Sequence, residues 1–243
     1  MKKPLVSVLM PVYNAQEYLE DSIKSVLNQT YTNFEFIIVN DASTDNTLQI
    51  LKKYAAKDKR IKIITNSKNL NISGALNKGA KYCTGKYIAR MDGDDISLPN
   101  RLQQQVKLMQ KDRKVVVAGG FIKLINGIGK EIGERRYSTN SKVLKQKMFR
   151  YSPFAHPATM FKKDVFQKVG GYSIKYGKQK VEDQHLWFRM AQHGKFANVQ
   201  NFVLKYRYFE LSTSNANLNK TEKYTLKLRK KMSKKYNLKM TLS

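Results

Sequence analysis

Three carboxylates fall within four residues in Asp92-Gly93-Asp94-Asp95, directly after the apolar strand-like run Lys86–Met91. Acids this close repel one another unless a cation or hydrogen-bond donors neutralise them. Hard oxygen ligands select Mg²⁺ or Mn²⁺, commonly shared with phosphate oxygens of a substrate. The plainer alternative makes Asp95 a cap for the helix that follows Pro99. A second acidic pair, Glu182-Asp183, opens a helical stretch. Acids there can serve as a general base, or simply complement a helix N-terminus. The helix end is expected to lower the Asp183 pKa and keep it ionised. His156 fits a ligand contact or a satisfied structural histidine equally well, and His193 reads as a helix C-terminal residue.

These residues need elements to position them, and the first hundred residues supply a regular alternation. Strands are expected at Leu5–Met10, Phe34–Val39, Ile61–Thr65 and Lys86–Met91. Helices are expected at Ala15–Asn28, Asp45–Lys57 and Ile72–Tyr82, the first capped by Asn14 with Glu17 and the second by Thr44 or Asp45. Strand–helix alternation at this spacing means βαβ units and a parallel sheet, hence an α/β fold. Ligands of such sheets sit beyond the carboxyl ends of the strands. Those ends carry Pro11–Asn14, Asn40–Asp45, Asn66–Asn71 and Asp92–Asp95, so the unusual polar residues share one edge. Beyond Pro99 the pattern gives a helix at Arg101–Gln110, a strand at Val115–Ala118 and a hairpin within 121–136. A helix at Ser141–Phe149, a strand at Ala158–Phe161, a helix at Glu182–His193 and β structure at Phe196–Tyr208 follow. Residues 217–240 read as a long basic helix with Tyr224, Leu228, Met232, Tyr236 and Met240 along one seam.

The chain has 243 residues with 46 Lys+Arg against 18 Asp+Glu, a formal charge of +28. Residues 1–100 hold 14 basic and 10 acidic side chains, whereas residues 101–243 hold 32 and 8. Such a basic half suits nucleic acid, an anionic membrane, an anionic acceptor or a merely solvated surface. Lys outnumbers the Arg that direct base readout prefers. A hydrophobic fraction of 41% supports a real core and excludes wholesale disorder. No run approaches the ~20 apolar residues of a membrane span, and the basic N-terminus lacks a signal-length apolar stretch. The single Cys83 excludes an internal disulfide and a Cys-rich zinc site. The expectation is a soluble, cytosolic protein of one continuous domain over 1–215, with a C-terminal basic appendage at 216–243. That appendage can lie on an anionic membrane, on its own domain or on a partner chain, a second copy included.

Several stretches together resemble an inverting family 2 glycosyltransferase with the GT-A (nucleotide-diphospho-sugar transferase) fold. They are Val8–Asn14, Ile37–Asp45, Asn69–Gly79, Tyr87–Ile96, Pro99–Gln105, Val169-Gly170-Gly171-Tyr172 and Glu182-Asp183. The resemblance implies a mainly parallel central sheet flanked by helices, with a nucleotide-binding half at 1–100 and an acceptor half at 101–215. It implies that Pro11 and Tyr13 shape the base pocket and that Asp41 accepts a hydrogen bond from a uracil N–H. Ser43 and Asn69 would support the nucleotide, Asn77 would hold a loop, and Asp92 would face the ribose or the metal. Asp94 would bind Mn²⁺ or Mg²⁺ on the diphosphate. Arg90 would aid the sugar or diphosphate, or pair with the acidic cluster. Asp183 would be the catalytic base, with Glu182, His156 and Trp187 toward the acceptor, though Trp187 suits the core as well. Three positions depart from the family's usual residues: Asn71 where Gly is common, Leu76 where Arg is common, and Phe209 where a metal-ligating His is common. Asn tolerates a positive φ, so the turn at 71 survives.

The resemblance thus implies transfer of a sugar from a nucleotide donor, a UDP-sugar, to a glycan or lipid-linked glycan in bacterial capsule or lipopolysaccharide assembly. It implies a cytoplasmic enzyme, peripheral at the inner face of the plasma membrane if 217–240 binds lipid. A sugar-nucleotide nucleotidyltransferase would need a Gly-rich basic loop that Pro11–Gln16 lacks. A basic nucleic-acid-binding module would leave the four polar loops unexplained, so no nucleic acid is expected as a partner.

Overall fold

The computed structural model describes residues 3–149, 151–209 and 218–236. The chain runs β1 (Val6–Val12), α1 (Leu19–Leu27), β2 (Phe34–Asn40), α2 (Thr47–Ala55), β3 (Ile61–Thr65), α3 (Asn71–Ala80) and β4 (Tyr87–Arg90). It continues with β5 (Ile96–Ser97), α4 (Arg101–Lys111), β6 (Val115–Ile125), β7 (Glu131–Arg135) and α5 (Ser141–Lys147). After a 3₁₀ turn at His156–Ala158 come β8 (Met160–Lys162), α6 (Lys163–Lys168), α7 (Ile174–Gly177), α8 (Glu182–Met190), β9 (Lys195–Arg207) and α9 (Leu218–Tyr236). The strands form one sheet in the order β3-β2-β1-β4-β8-β6-β9-β5, with β7 on β6. Pairing is parallel from β3 through β4, as the βαβ pattern requires. Beyond β4 it is mixed: β8 is antiparallel to both β4 and β6, and β6 and β9 are parallel.

Every residue of β2 is buried, and so are six of the seven residues of β1. Such strands read as continuous apolar runs because helices cover both faces of the sheet. Alternate side chains divide the core. Val6, Val8, Met10, Phe36 and Ile38 join α1 and α4 through Leu19, Ile23, Leu102 and Val106. Leu9, Ile37, Val39 and Ile88 join α3, α8 and α9 on the other face. Buried Glu35 ties the N-terminal ends of β1 and β4 to β2, accepting hydrogen bonds from Ser7 and from the Thr84 amide and hydroxyl, with Lys62 as its ion-pair partner.

Several expected features shift. Helix α2 begins at Thr47 with Asn46 at its N-cap position rather than Thr44 or Asp45, although Asp45 Oδ1 accepts the Thr47 amide at 3.0 Å. Helix α1 begins at Leu19 rather than Ala15, and Asn14 is not its cap: it sits at φ +48° in the loop. The strand expected at Val115–Ala118 runs on to Ile125, because β9 pairs with it along its whole length despite Gly119-Gly120. The seam of the C-terminal helix faces its own domain. Leu228 and Met232 are 1% and 2% exposed, and Tyr224 and Tyr236 pack beside them. The apolar seam is therefore not available for insertion into a bilayer; Met240 lies outside the described residues. No helix among the described residues is long and apolar enough to cross a membrane.

Truncating a fully buried leucine removes transfer energy and leaves a cavity. Leu228→Ala is expected to lower stability by about 2–4 kcal/mol in urea titrations. A loss below about 0.5 kcal/mol, the range of surface substitutions, would show that α9 does not pack as described.

Candidate active site

The site begins where β1, β2 and β4 end. Val12 is level with Asn40, and Leu9 with Arg90, so their following loops meet at one edge of the sheet. Hydrogen bonds stitch the first two loops together. The Asn14 amide donates to Ser43 Oγ at 3.0 Å, the Thr44 amide to Asn14 Oδ1 at 2.9 Å, and the Gln16 amide to Asp45 Oδ2 at 3.1 Å. Asp41, 3% exposed, accepts from Asn66 Nδ2 at 2.6 Å and the Leu70 amide at 2.9 Å. Both bonds go to Oδ1, which leaves Oδ2 for a donor entering from the cleft. Asn71 adopts φ +58°, so the turn keeps its left-handed conformation without a glycine.

The acidic loop follows β4. Gly93 is required by close approach, because a Cβ there would lie 2.7 Å from Val12 Cγ1. Carboxylate oxygens of Asp92, Asp94 and Asp95 lie within 4.8 Å of one another. Asp92 is ion-paired with Arg90, whose side chain is 2% exposed. Asp95 caps no helix; α4 starts after Asn100. Instead its Oδ1 accepts the Arg207 amide at 2.8 Å, while its buried Oδ2 has no donor. The Arg207 guanidinium donates to the Asp94, Asn126 and Gly127 carbonyls and lies 4.2 Å above the Tyr18 ring. Burial and the neighbouring Asp92 charge raise the Asp94 carboxyl to about 6, and burial with the Asp94 and Asp92 charges holds Asp95 well above the ordinary carboxylate range. A buried acid without a donor, in a cluster whose acids raise one another, is the environment a hard divalent cation relieves. Asp94, which enters no ion pair among the described residues, and Asp92 are suited to hold it. Phe209 supplies no ligand; its ring packs 5.7 Å from Tyr18 at the cleft wall.

The second acidic pair opens α8. Asp183 accepts from the Gln184 amide at 2.6 Å and from Ser152 Oγ at 3.4 Å. Burial raises the Asp183 pKa despite the amide and the Arg90 charge, so the expected lowering by the helix end does not occur: desolvation outweighs the dipole. Glu182 is 7% exposed, its Oε2 has no donor, and burial with the Asp183 charge pushes it up to about 8. His156 Nδ1 lies 4.0 Å from Glu182, and His156 Nε2 shares a 2.7 Å hydrogen bond with the Tyr172 hydroxyl. Burial and Arg90 hold His156 neutral, so no cation opposes Glu182 from that side. Asn77 grips both the amide and the carbonyl of Tyr172 at 2.8 Å. Gly171 beside it, at φ +63°, leaves no room for a side chain against Asn77.

One cleft of about 1370 Å³ collects these groups. Pro11, Tyr13, Asp41, Asn69, Arg90, Asp92 and Asp94 line it, and so do His156, Glu182 and Asp183. Three expected residues stand behind the wall instead. Ser43 braces the Asn14 loop, Asn77 holds Tyr172, and Trp187 is fully buried against Phe154 and Phe161. The acceptor-side placement of Trp187 is thus corrected to a core placement. Arg207, Tyr137, Ser152 and Arg135 are among the cleft groups that sequence reasoning missed.

Glu182 holds its proton more tightly folded, at about 8, than at its ordinary 4.5. Its contribution is therefore complete below 4.5 and is lost as pH rises through 8. Glu182→Gln, neutral throughout, is expected to gain on the wild type between about pH 5 and pH 8, each unit shifting the difference by about 1.4 kcal/mol. Urea midpoints at the two pH values check this, and a constant offset would contradict it.

Known proteins place this geometry. The profile of Glycosyl transferase family 2 matches residues 7–170. The O-antigen biosynthesis glycosyltransferase WbnJ of Escherichia coli is 38% identical over 236 residues, 95% of this chain and 90% of that protein. A second Escherichia coli protein, UDP-Glc:alpha-D-GlcNAc-diphosphoundecaprenol beta-1,3-glucosyltransferase WfgD, is 39% identical over 144 residues, 58% of this chain and 55% of its own length. Mannosyltransferase PcManGT of Pyrobaculum calidifontis, solved with GDP-Man and Mn²⁺, shares the fold at TM-score 0.72 and 17% identity; the superposition covers 97% of this chain and 65% of that one. The fold is accordingly that of GT-A glycosyltransferases, and the chain belongs to glycosyl transferase family 2.

Proposed function

We propose that the chain transfers a sugar, with inversion, from a UDP-sugar to a hydroxyl of a glycan or lipid-linked glycan during assembly of a cell-surface polysaccharide such as capsule or lipopolysaccharide. The observation that carries this reading is the shared cleft: Asp92 and Asp94, with buried Asp95 behind them, and Asp183 come from different elements, and Asp92, Asp94 and Asp183 line one cavity. Residues 1–100 supply the nucleotide half. Asp41 Oδ2 is placed for a base N–H, Tyr13 exposes half its surface for a pyrimidine, and Pro11 and Asn69 close the pocket. Residues 101–215 supply the acceptor half. A divalent cation, Mn²⁺ or Mg²⁺, bound by Asp94 and Asp92 would neutralise charge on the departing diphosphate.

Asp183 takes the proton of the acceptor hydroxyl while that oxygen bonds to the anomeric carbon and the bond to the nucleoside diphosphate breaks. Ser152 and the Gln184 amide orient the carboxylate. Arg90, ion-paired with Asp92 and close enough to stabilise ionised Asp183, links the two acidic groups electrostatically. Because burial raises Asp183, the enzyme gains activity with rising pH as this acid ionises, with the limb above the ordinary aspartate range. The relatives support the setting, one named for O-antigen synthesis and one for a diphospholipid-linked acceptor. The solvent face of α9 keeps Lys223, Lys227, Lys230, Lys231 and Lys234, which suits a cytoplasmic enzyme held at an anionic membrane by charge rather than insertion.

UDP with Mn²⁺ is expected to stabilise the protein by about 2.7 kcal/mol at a hundredfold excess over Kd, a melting shift of several degrees, whereas an oligonucleotide is not. Asp183→Asn should retain that shift and lose about 10²–10⁴-fold in turnover, read as UDP release with acceptor present. Full turnover by a folded Asp183→Asn enzyme would remove the base assignment. A shift with GDP but not UDP would reassign the donor.

A further inference from the structure

A second cavity lies at the far end of β4. Arg90 closes that strand in the catalytic cleft, whereas Tyr87 opens it on the wall of a separate hollow of about 360 Å³ that shares no lining residue with the cleft. Tyr87 and Met109, each 1% exposed, give the hollow its buried walls. Lys162 is paired with Tyr87 across β4 and β8, and directly paired side chains leave a sheet on the same face. The Lys162 ammonium donates to the Arg113 carbonyl at 2.6 Å, which brings the loop between α4 and β6 to the same place. Lys86 Nζ stands 5.6 Å from the centre of the Tyr87 ring, and the Lys86 carbonyl accepts the Lys163 amide at 3.2 Å. Four cations therefore surround the hollow against a single acid, Asp164, and none of the five enters an ion pair among the described residues. Lys162 and Lys163 direct their ammonium groups to the carbonyls of Arg113, Cys83 and Thr84, whereas the Lys86 ammonium and the Arg113 guanidinium donate to no protein oxygen among the described residues. The Tyr87 hydroxyl likewise makes no hydrogen bond there, and it is not sealed in the core: it opens on this hollow, where the charges of Arg113 and Asp164 reach it.

We infer that this hollow is a binding site for a phosphate ester of a small polyol, held by the Tyr87 hydroxyl, the Lys86 ammonium and the Arg113 guanidinium. These three groups offer donors and two positive charges, which is what phosphate oxygens require, and the planar fork of arginine takes two oxygens together. Lys162 and Lys163 add positive potential at the rim. A bare inorganic ion would fill little of a volume in the range of small-molecule sites. Asp164 lines the remaining wall; its Oδ1 takes the Val165 amide, and its Oδ2 is left for a hydroxyl of the polyol. The same chemistry occurs free in solution and on the headgroup of a glycerophospholipid. The site does not depend on the glycosyl-transfer reading of the cleft.

The test titrates glycerol phosphate calorimetrically into the full chain, with UDP and Mn²⁺ present to fill the cleft. Glycerol phosphate should bind, inorganic phosphate should bind more weakly, and glycerol should give no heat. Lys86→Gln/Arg113→Gln should weaken glycerol phosphate by about tenfold, Tyr87→Phe by a smaller factor, and Arg113→Lys should lose less than Arg113→Gln. Lys57→Gln/Lys59→Gln, which removes the same charge from exposed positions between α2 and β3, should leave binding unchanged. Melting temperatures near that of the wild type report that the variants are folded. Absence of binding to the wild type, equal binding by Lys86→Gln/Arg113→Gln, an equal loss in Lys57→Gln/Lys59→Gln, or glycerol as tight as its phosphate would each overturn the assignment. Binding that appears only without UDP and Mn²⁺ would also overturn it, since the probe would then occupy the cleft. Cosedimentation with phosphatidylglycerol vesicles, against phosphatidylcholine, separates the two sources. Lys86→Gln/Arg113→Gln sediments less than the wild type if the site takes a lipid headgroup, and equally, through the basic face of α9, if it takes the free ester.

Discussion

A buried guanidinium stands where two groups of acids meet. Arg90 is ion-paired with Asp92, and its charge acts favourably on Asp94, Asp95, Glu182 and Asp183. Carboxyls this deeply placed would otherwise all be driven toward the neutral form by desolvation and mutual repulsion. The position of Arg90 is fixed through its backbone. Its amide donates to Thr159, and its carbonyl accepts from the buried Arg101, which reaches Thr159 as well. Strand β4 thus delivers at its last residue the charge that lets Asp92, Asp94, Glu182 and Asp183 share one cavity.

The rest of the architecture brings those loops together. Parallel pairing of β1, β2 and β4 aligns their carboxyl ends, and the small residue at Gly93 lets the acidic loop close on Val12. The far wall depends on longer connections. Asn77 in α3 clamps Tyr172, Tyr172 holds His156, and His156 stands against Glu182. Arg207, from the last strand, closes on the acidic loop through its amide to the Asp95 carboxylate and its guanidinium to the Asp94, Asn126 and Gly127 carbonyls. The acidic loop after β4 and the acidic start of α8 are therefore held by one continuous packed framework.

The legible parts of the sequence were those set by local periodicity. The short apolar runs of β1 and β2 and the stripe Leu19, Ile23 and Val26 announce the sheet and its first helix, and the polar residues then fall on the carboxyl edge by topology alone. The start of α1 was not legible, because Asn14 is drawn into a left-handed turn by Ser43 and Thr44, some thirty positions away. Nor was the direction of the Asp183 shift: a helix start is visible in a sequence, whereas the walls that desolvate it are not. Trp187 looked equally apt for a cleft and for a core, and only the packing of Phe154 and Phe161 decides. Arg207 carried no local signal, since its partners sit at 94, 126 and 127. What could be read was chemistry and order; what could not was burial and long-range partnership.

The central claim is that one acidic wall grips the departing diphosphate while the other removes the acceptor proton, in a single displacement within one cleft. The anomeric configuration of the product tests it most directly, read from the coupling constant of the anomeric proton in the purified glycoside. The account predicts a configuration opposite to that of the donor sugar. A product that retains the donor's configuration would require a different displacement chemistry and would contradict the account.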